Sequence, residues 1–69
     1  MTGIEKQMKR RKMDRTAFRK AVMDVAIPQQ LYPATSLIYG WIDGTYKPSG
    51  TYIPIIAKAL NCTADEILA

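Results

Sequence analysis

Sixty-nine residues are enough for one small domain with a thin core, to which a partner subunit could add stability. Apolar residues make up 48% of the chain, which excludes a disordered tail; Cys62 stands alone, which excludes an internal disulfide and, with no histidine present, a structural zinc site. The net charge of +4 is one-sided: Lys6, Lys9, Arg10, Arg11, Lys12, Arg15, Arg19 and Lys20 face only Glu5 and Asp14 in residues 1–20, and a basic field of this kind attracts polyanions.

The opening residues lack the apolar run of a signal peptide, and no segment approaches a bilayer span. With the single cysteine, this leads to the expectation of a cytoplasmic protein. No strand pattern competes with the helical ones, so the expectation is one all-α domain over residues 1–69.

Ile4 and Met8, four apart among helix formers, predict a basic first helix within residues 1–13, starting about residue 4. Asp14 has the side chain of an N-cap. A second helix is expected over about 15–26, with Phe18, Val22, Val25 and Ala26 inward. Pro28 and Pro33 bracket a loop, because proline lacks a donor and pushes its predecessor out of the α region. A third helix is expected over about 34–43, with Thr35 as its cap and Leu37, Ile38 and Trp41 inward. Gly44 ends it in the left-handed conformation.

Pro54 is tolerated only in a first helical turn, which sets the start of a fourth helix at Thr51 or Tyr52. Ile53, Ile56, Ala57 and Leu60 form its expected apolar stripe, and Asn61 is a left-handed stop. Thr63 and Glu66 have the spacing of a capping box for a fifth helix, which would carry Ile67 and Leu68 into the core or a partner. The expected core is thus built on Phe18, Val22, Ile38, Trp41, Ile53, Ile56 and Leu60.

From Ser36 onward the chain resembles the phage repressor (Cro/CI-type) helix-turn-helix family. Trp41, Gly44, Pro48, Ser49, Ile56, Ala57, Leu60, Asp65 and Glu66 fall at that family's positions without a gap. The resemblance implies a compact five-helix, lambda-repressor-like DNA-binding domain whose third helix enters the major groove. The first half matches loosely. Arg19 stands where the family pattern has a small residue, and Arg19 and Ile38 are 19 positions apart, far wider than the family's spacing. Ile27 to Pro33 thus reads as a loop inserted between the two helices of the motif.

By this resemblance Thr35, Ser36 and Tyr39 are the candidate base contacts; Thr35 could equally serve only as a cap. Their hydroxyls can meet most bases, but none offers the two-pronged contact of Arg, Gln or Asn. Thr45, Tyr46 and Lys47 are candidate phosphate contacts in the loop after the third helix. Arg10, Arg11 and Lys12 are candidates in a basic arm, although a charge run is more often only a solvated face. Gly40 implies close approach of DNA or of another helix, and Trp41 is read as core. Cys62 is read as a small hydrophobe.

No catalytic constellation and no cofactor or metal ligand set is legible. The resemblance therefore implies a repressor acting by promoter occupancy, as a homodimer on a pseudo-palindromic operator in double-stranded DNA, in a bacterial or phage-infected cell and on the nucleoid when bound. Two alternatives stay open: the antitoxin of a toxin–antitoxin pair, and a helical protein–protein adaptor that reuses the fold.

Overall fold

The computed structural model describes residues 2–68. Five α-helices follow in order, α1 (Gly3–Arg10), α2 (Arg15–Ala26), α3 (Thr35–Asp43), α4 (Ile53–Leu60) and α5 (Ala64–Leu68). A 3-10 turn, Ile27–Gln29, continues α2. No strand occurs among the described residues, so the chain is all-α as expected. No described helix is long and apolar enough to cross a membrane.

Helix α1 starts one residue before the expected position and stops three residues earlier. Thr2 caps it with a full capping box: its Oγ1 accepts from the Glu5 N–H at 3.0 Å, and Glu5 Oε1 accepts from the Thr2 N–H at 3.4 Å. The Thr2 hydroxyl also donates to the Ile42 carbonyl at 2.9 Å, which ties the start of α1 to the end of α3. Lys12 then turns left-handed at φ 53°. The Met13 N–H bonds the Met8 carbonyl and the Lys12 N–H the Lys9 carbonyl, the paired bonds of a Schellman stop.

Asp14 caps α2 as expected, its Oδ1 accepting from the Ala17 N–H at 2.7 Å. Phe18, Val22 and Ala26 form its fully buried stripe, with Val25 half-buried beside them. Gln30, at φ 61°, closes the 3-10 turn with the same Schellman bonds, Leu31 N–H to the Ala26 carbonyl and Gln30 N–H to the Ile27 carbonyl. The connection to α3 therefore contains structure where only a loop was expected.

Helix α3 starts at Thr35, not with Thr35 as its cap. Ala34 holds the cap position and provides no side-chain hydrogen bond. The Thr35 hydroxyl instead accepts from Arg19. Ile38, Trp41 and Ile42 are buried and Leu37 is half-buried. Gly44 ends the helix at φ 84°, a conformation glycine adopts without strain.

Helix α4 has Pro54 in its first turn, as expected, but starts at Ile53, one or two residues later than expected, and its buried stripe differs at one position. Ile55, Ile56 and Leu60 are its buried residues, whereas Ile53 is only half-buried and lies outside the core cluster. Tyr52, which caps the helix, packs its ring 5.1 Å from that of Trp41. Asn61 stops α4 at φ 51° with Schellman bonds from Cys62 and Asn61. The Thr63–Glu66 capping box opens α5, with Glu66 N–H to Thr63 Oγ1 at 3.3 Å and Thr63 N–H to Glu66 Oε1 at 3.1 Å. Ile67 enters the core, and Leu68 stays exposed.

The helices pack in a closed cycle. α2 lies along α4, α4 meets α5, α5 lies against α1, α1 against α3, and α3 against α2. Gly3 makes the α1–α5 approach possible, since a Cβ there would collide with the carbonyls of Glu66 and Ile67. The result leaves one side of α3 uncovered.

Candidate nucleic-acid interface

The uncovered side of α3 is set by its buried side. With Ile38, Trp41 and Ile42 inward, Ser36 and Asp43 point furthest outward, Thr35 and Tyr39 face the α2 flank, and Gly40 faces the opposite flank. Ser36 is exposed and makes no side-chain hydrogen bond among the described residues.

Two arginines of α2, one turn apart, cover the Thr35–Tyr39 flank. Arg15 Nη2 donates to Asp43 Oδ1, and its guanidinium carbon sits 5.5 Å from the centre of the Tyr39 ring. Arg19 Nε donates to Thr35 Oγ1 at 2.9 Å. The first turn of α2 thus meets the last turn of α3, and the next turn of α2 meets the first residue of α3. Both contacts lie where α2 and α3 pack, across the Ile27–Pro33 connection that joins the two helices. Both arginines remain exposed to solvent.

On the other flank the chain returns over Gly40. The Tyr46 N–H bonds the Gly40 carbonyl at 3.2 Å, and the Tyr46 ring lies where a Cβ of residue 40 would be. The close approach implied by Gly40 is therefore made by the following loop, neither by another helix nor by space left for a ligand. This packing holds Tyr46 beside α3 while half its surface stays open, and Thr45 and Lys47 are exposed with it. Tyr46 and its exposed neighbours Thr45 and Lys47 thus follow one flank of α3, and the two arginines line the other.

Arg10 and Arg11 are engaged elsewhere. Arg11 Nη1 donates to Gln7 Oε1 at 2.9 Å and Nη2 to the Asn61 carbonyl at 2.8 Å, where α4 ends. Gln7 is itself buried and donates from Nε2 to Glu66 Oε2 at 3.3 Å. Arg10 lies 3.5 Å from the same Glu66 oxygen. These two arginines fasten α1 to the α4–α5 junction, and Lys12 is the left-handed residue that turns the chain away from it. A cation at the C-terminal end of a helix is favoured by the partial negative charge of its last carbonyls, so Arg11 has a structural reason for its place.

Sequence reasoning missed Arg15 and Arg19. A signal was present: both are four apart in α2 on the flank next to its buried stripe, and Arg19 stood out as a misfit at a small-residue position. It also missed the capping box of Thr2 and Glu5, whose spacing is that of Thr63 and Glu66.

Cys62 is half-buried against the core, and burial pushes its thiol above the usual range, with Glu66 adding to the rise. It stays protonated and weakly nucleophilic at neutral pH. Among the described residues no group of three His, Cys, Asp or Glu side chains is placed to hold a metal ion. No family model, no curated protein and no solved structure matches the chain.

Proposed function

We propose that this protein is a sequence-specific double-stranded DNA-binding transcriptional regulator with a lambda-repressor-like arrangement of helices. On this reading it represses by occupying a promoter, as a two-fold homodimer on a pseudo-palindromic operator. One observation carries the reading. Helix α3 is anchored by Ile38, Trp41 and Ile42, while its outward ridge at Ser36 lies between Arg15 and Arg19 on one flank and the Thr45–Lys47 loop on the other. A helix held from behind, with short polar side chains in front and cations at its sides, matches what a major groove lined by phosphates requires.

Within this reading Ser36 meets a base edge, and Lys47 with the Thr45 hydroxyl meets the sugar–phosphate backbone. Arg15 cancels the charge of Asp43, which would otherwise repel phosphate from the outward ridge. Exposed Ile27 and Tyr32, 47% and 68% accessible, favour a second reading, a protein–protein adaptor docking through the α2–α3 connection.

Selection of bound duplexes from a random library near physiological salt decides between them. A symmetric enriched motif supports the dimeric regulator and gives the half-site spacing. Ser36→Glu combined with Lys47→Glu should then abolish binding. An absence of enrichment would sink the regulator and leave the adaptor, whose partner contacts at Ile27 and Tyr32 the same charge reversal would spare.

A further inference from the structure

The candidate base contacts of α3 contain no side chain able to grip a base edge at two points, whereas α2 contains two arginines, of which Arg15 is already paired with Asp43. We propose that Arg19 reads a guanine next to the base met by Ser36, and that Thr35 is its positioning residue. The inference rests on the DNA-binding reading above and deepens it by naming one base of the operator.

Four observations lead there. Arg19 Nε is held by Thr35 Oγ1 at 2.9 Å, which directs the guanidinium of an α2 residue to the first turn of α3, one residue from Ser36. Neither Nη of Arg19 has a hydrogen-bond partner among the described residues, and no described carboxylate lies within ion-pair distance. The other arginines near α3 or on α1 are engaged differently: Arg15 by Asp43 and Tyr39, Arg11 by Gln7 and Asn61, Arg10 by Glu66. Finally, the outward positions of α3 hold the Ser36 hydroxyl and the Asp43 carboxylate, the latter already paired with Arg15, so a two-pronged donor has to come from beside the helix.

The chemistry selects guanine. Two N–H groups in one plane match the O6 and N7 acceptors that guanine alone presents side by side in the major groove. Adenine offers N7 beside a donor, which would face an Arg19 N–H without an acceptor. A neutral hydroxyl is also the right anchor. It accepts from Nε and leaves the full positive charge on the fork, where a carboxylate partner would have neutralised it.

Arg19→Lys keeps the charge and the stem but removes the fork, and Thr35→Val keeps the shape but removes the hydroxyl. Duplex selection would be run with the full chain and both variants, each first checked for helical content and melting. The expected wild-type motif has one guanine per half-site that Arg19→Lys no longer requires. Discrimination at that position falls by roughly 5- to 150-fold while the other positions keep their preferences. Thr35→Val weakens the same position and no other.

Three results would overturn the inference. Both variants could enrich the wild-type motif, which would leave the DNA-binding reading intact and assign Arg19 to no base. An Arg19→Ala variant could weaken all duplexes equally and lower the salt slope of log K by about 0.9, the mark of a phosphate contact. The wild-type chain could enrich nothing, which would remove the DNA-binding reading together with this inference.

Discussion

Arg10 and Arg11 sit at the end of α1 with their guanidinium groups on Glu66, Gln7 and the Asn61 carbonyl, whereas Arg15 and Arg19 sit four residues apart on α2 against Asp43, Tyr39 and Thr35 of α3. In sequence they belong to one basic stretch. In space the first pair closes the helical cycle at the α1–α5 side, and the second pair borders the uncovered side of α3. Local charge density therefore does not locate a polyanion site. What separates the two regions is whether each guanidinium satisfies the chain's own carbonyls and buried amide or keeps donors for something outside.

Exchanging the two pairs for alanine gives the largest expected contrast. Arg15→Ala with Arg19→Ala should lower operator affinity by roughly 10- to 150-fold, since the charged hydrogen bonds of Arg19 contribute roughly 1.5–3 kcal/mol and loss of Arg15 bares the Asp43 carboxylate. Stability should change little, because exposed pairs contribute about 0–1 kcal/mol. Arg10→Ala with Arg11→Ala should do the reverse. It strips the buried Gln7 Oε1 of its donor, at a cost of about 1–3 kcal/mol, while water can replace Arg11 on the exposed Asn61 carbonyl; affinity should be far less affected. Anisotropy titrations and thermal melts on the same preparations test both. Loss of affinity in the α1 pair would move the interface.

Two glycines sharpen the same contrast between regions. A Cβ at Gly3 meets the backbone of α5, which cannot step aside, so Gly3→Ala should destabilise by about 1–3 kcal/mol. In a domain of this size each kcal/mol shifts the melt by roughly 4–8 °C. A Cβ at Gly40 meets only the half-exposed ring of Tyr46, which can swing out. Gly40→Ala also gains about 1 kcal/mol of helix propensity, so its melt should move by less than that of Gly3→Ala. Its signature is instead weaker DNA binding, because Tyr46 and the loop bearing Lys47 lose their seat.

Smaller effects separate Lys12 from Lys47. Lys12 occupies left-handed backbone at φ 53°. Lys12→Gly should raise stability by up to about 1 kcal/mol, the strain relieved being partly offset by the flexibility of unfolded glycine. Operator affinity should not fall. Lys47→Ala should leave the melt unchanged and lower the salt slope by about 0.9. A slope change in Lys12→Gly would return α1 to the DNA-binding face.

These expectations also show where the chain was legible. Helices α2, α3 and α5 follow from strong local signals: the Asp14 cap, the Phe18–Val22–Ala26 spacing, Gly44, and the Thr63–Glu66 box. Lys12 and Gln30 gave no warning of left-handed turns, because neither residue type favours them; the Schellman bonds and the burial around Met8 and Ala26 impose the conformation. Ile53 and Ile55 are equally apolar, and which of them is buried depends on how the first turn of α4 packs, which composition does not show. The α3 side of the candidate site was readable from its helical period. Its α2 side was not, since which arginine meets which helix depends on how α1 and α2 pack.

Glu66 carries the smallest and most specific prediction. The Thr63 backbone N–H, donating at 3.1 Å, holds its carboxyl below the usual range, and the Thr63 hydroxyl, Arg10 and Arg11 add to this. A carboxyl whose folded pKa lies below its unfolded value stabilises the fold above the unfolded value, and that contribution is lost as pH falls through the folded one. The melting difference between wild type and Glu66→Gln should therefore be steady above roughly pH 5 and shrink toward acid. Repeating the series with Arg10→Ala separates cap from ion pair. Both charged side chains of that pair are largely exposed, 68% and 40%, so water screens it and most of the pH dependence should survive. If it vanishes with Arg10, the α1–α5 junction is held mainly by charge, and the contrast between the two arginine pairs weakens to one of degree.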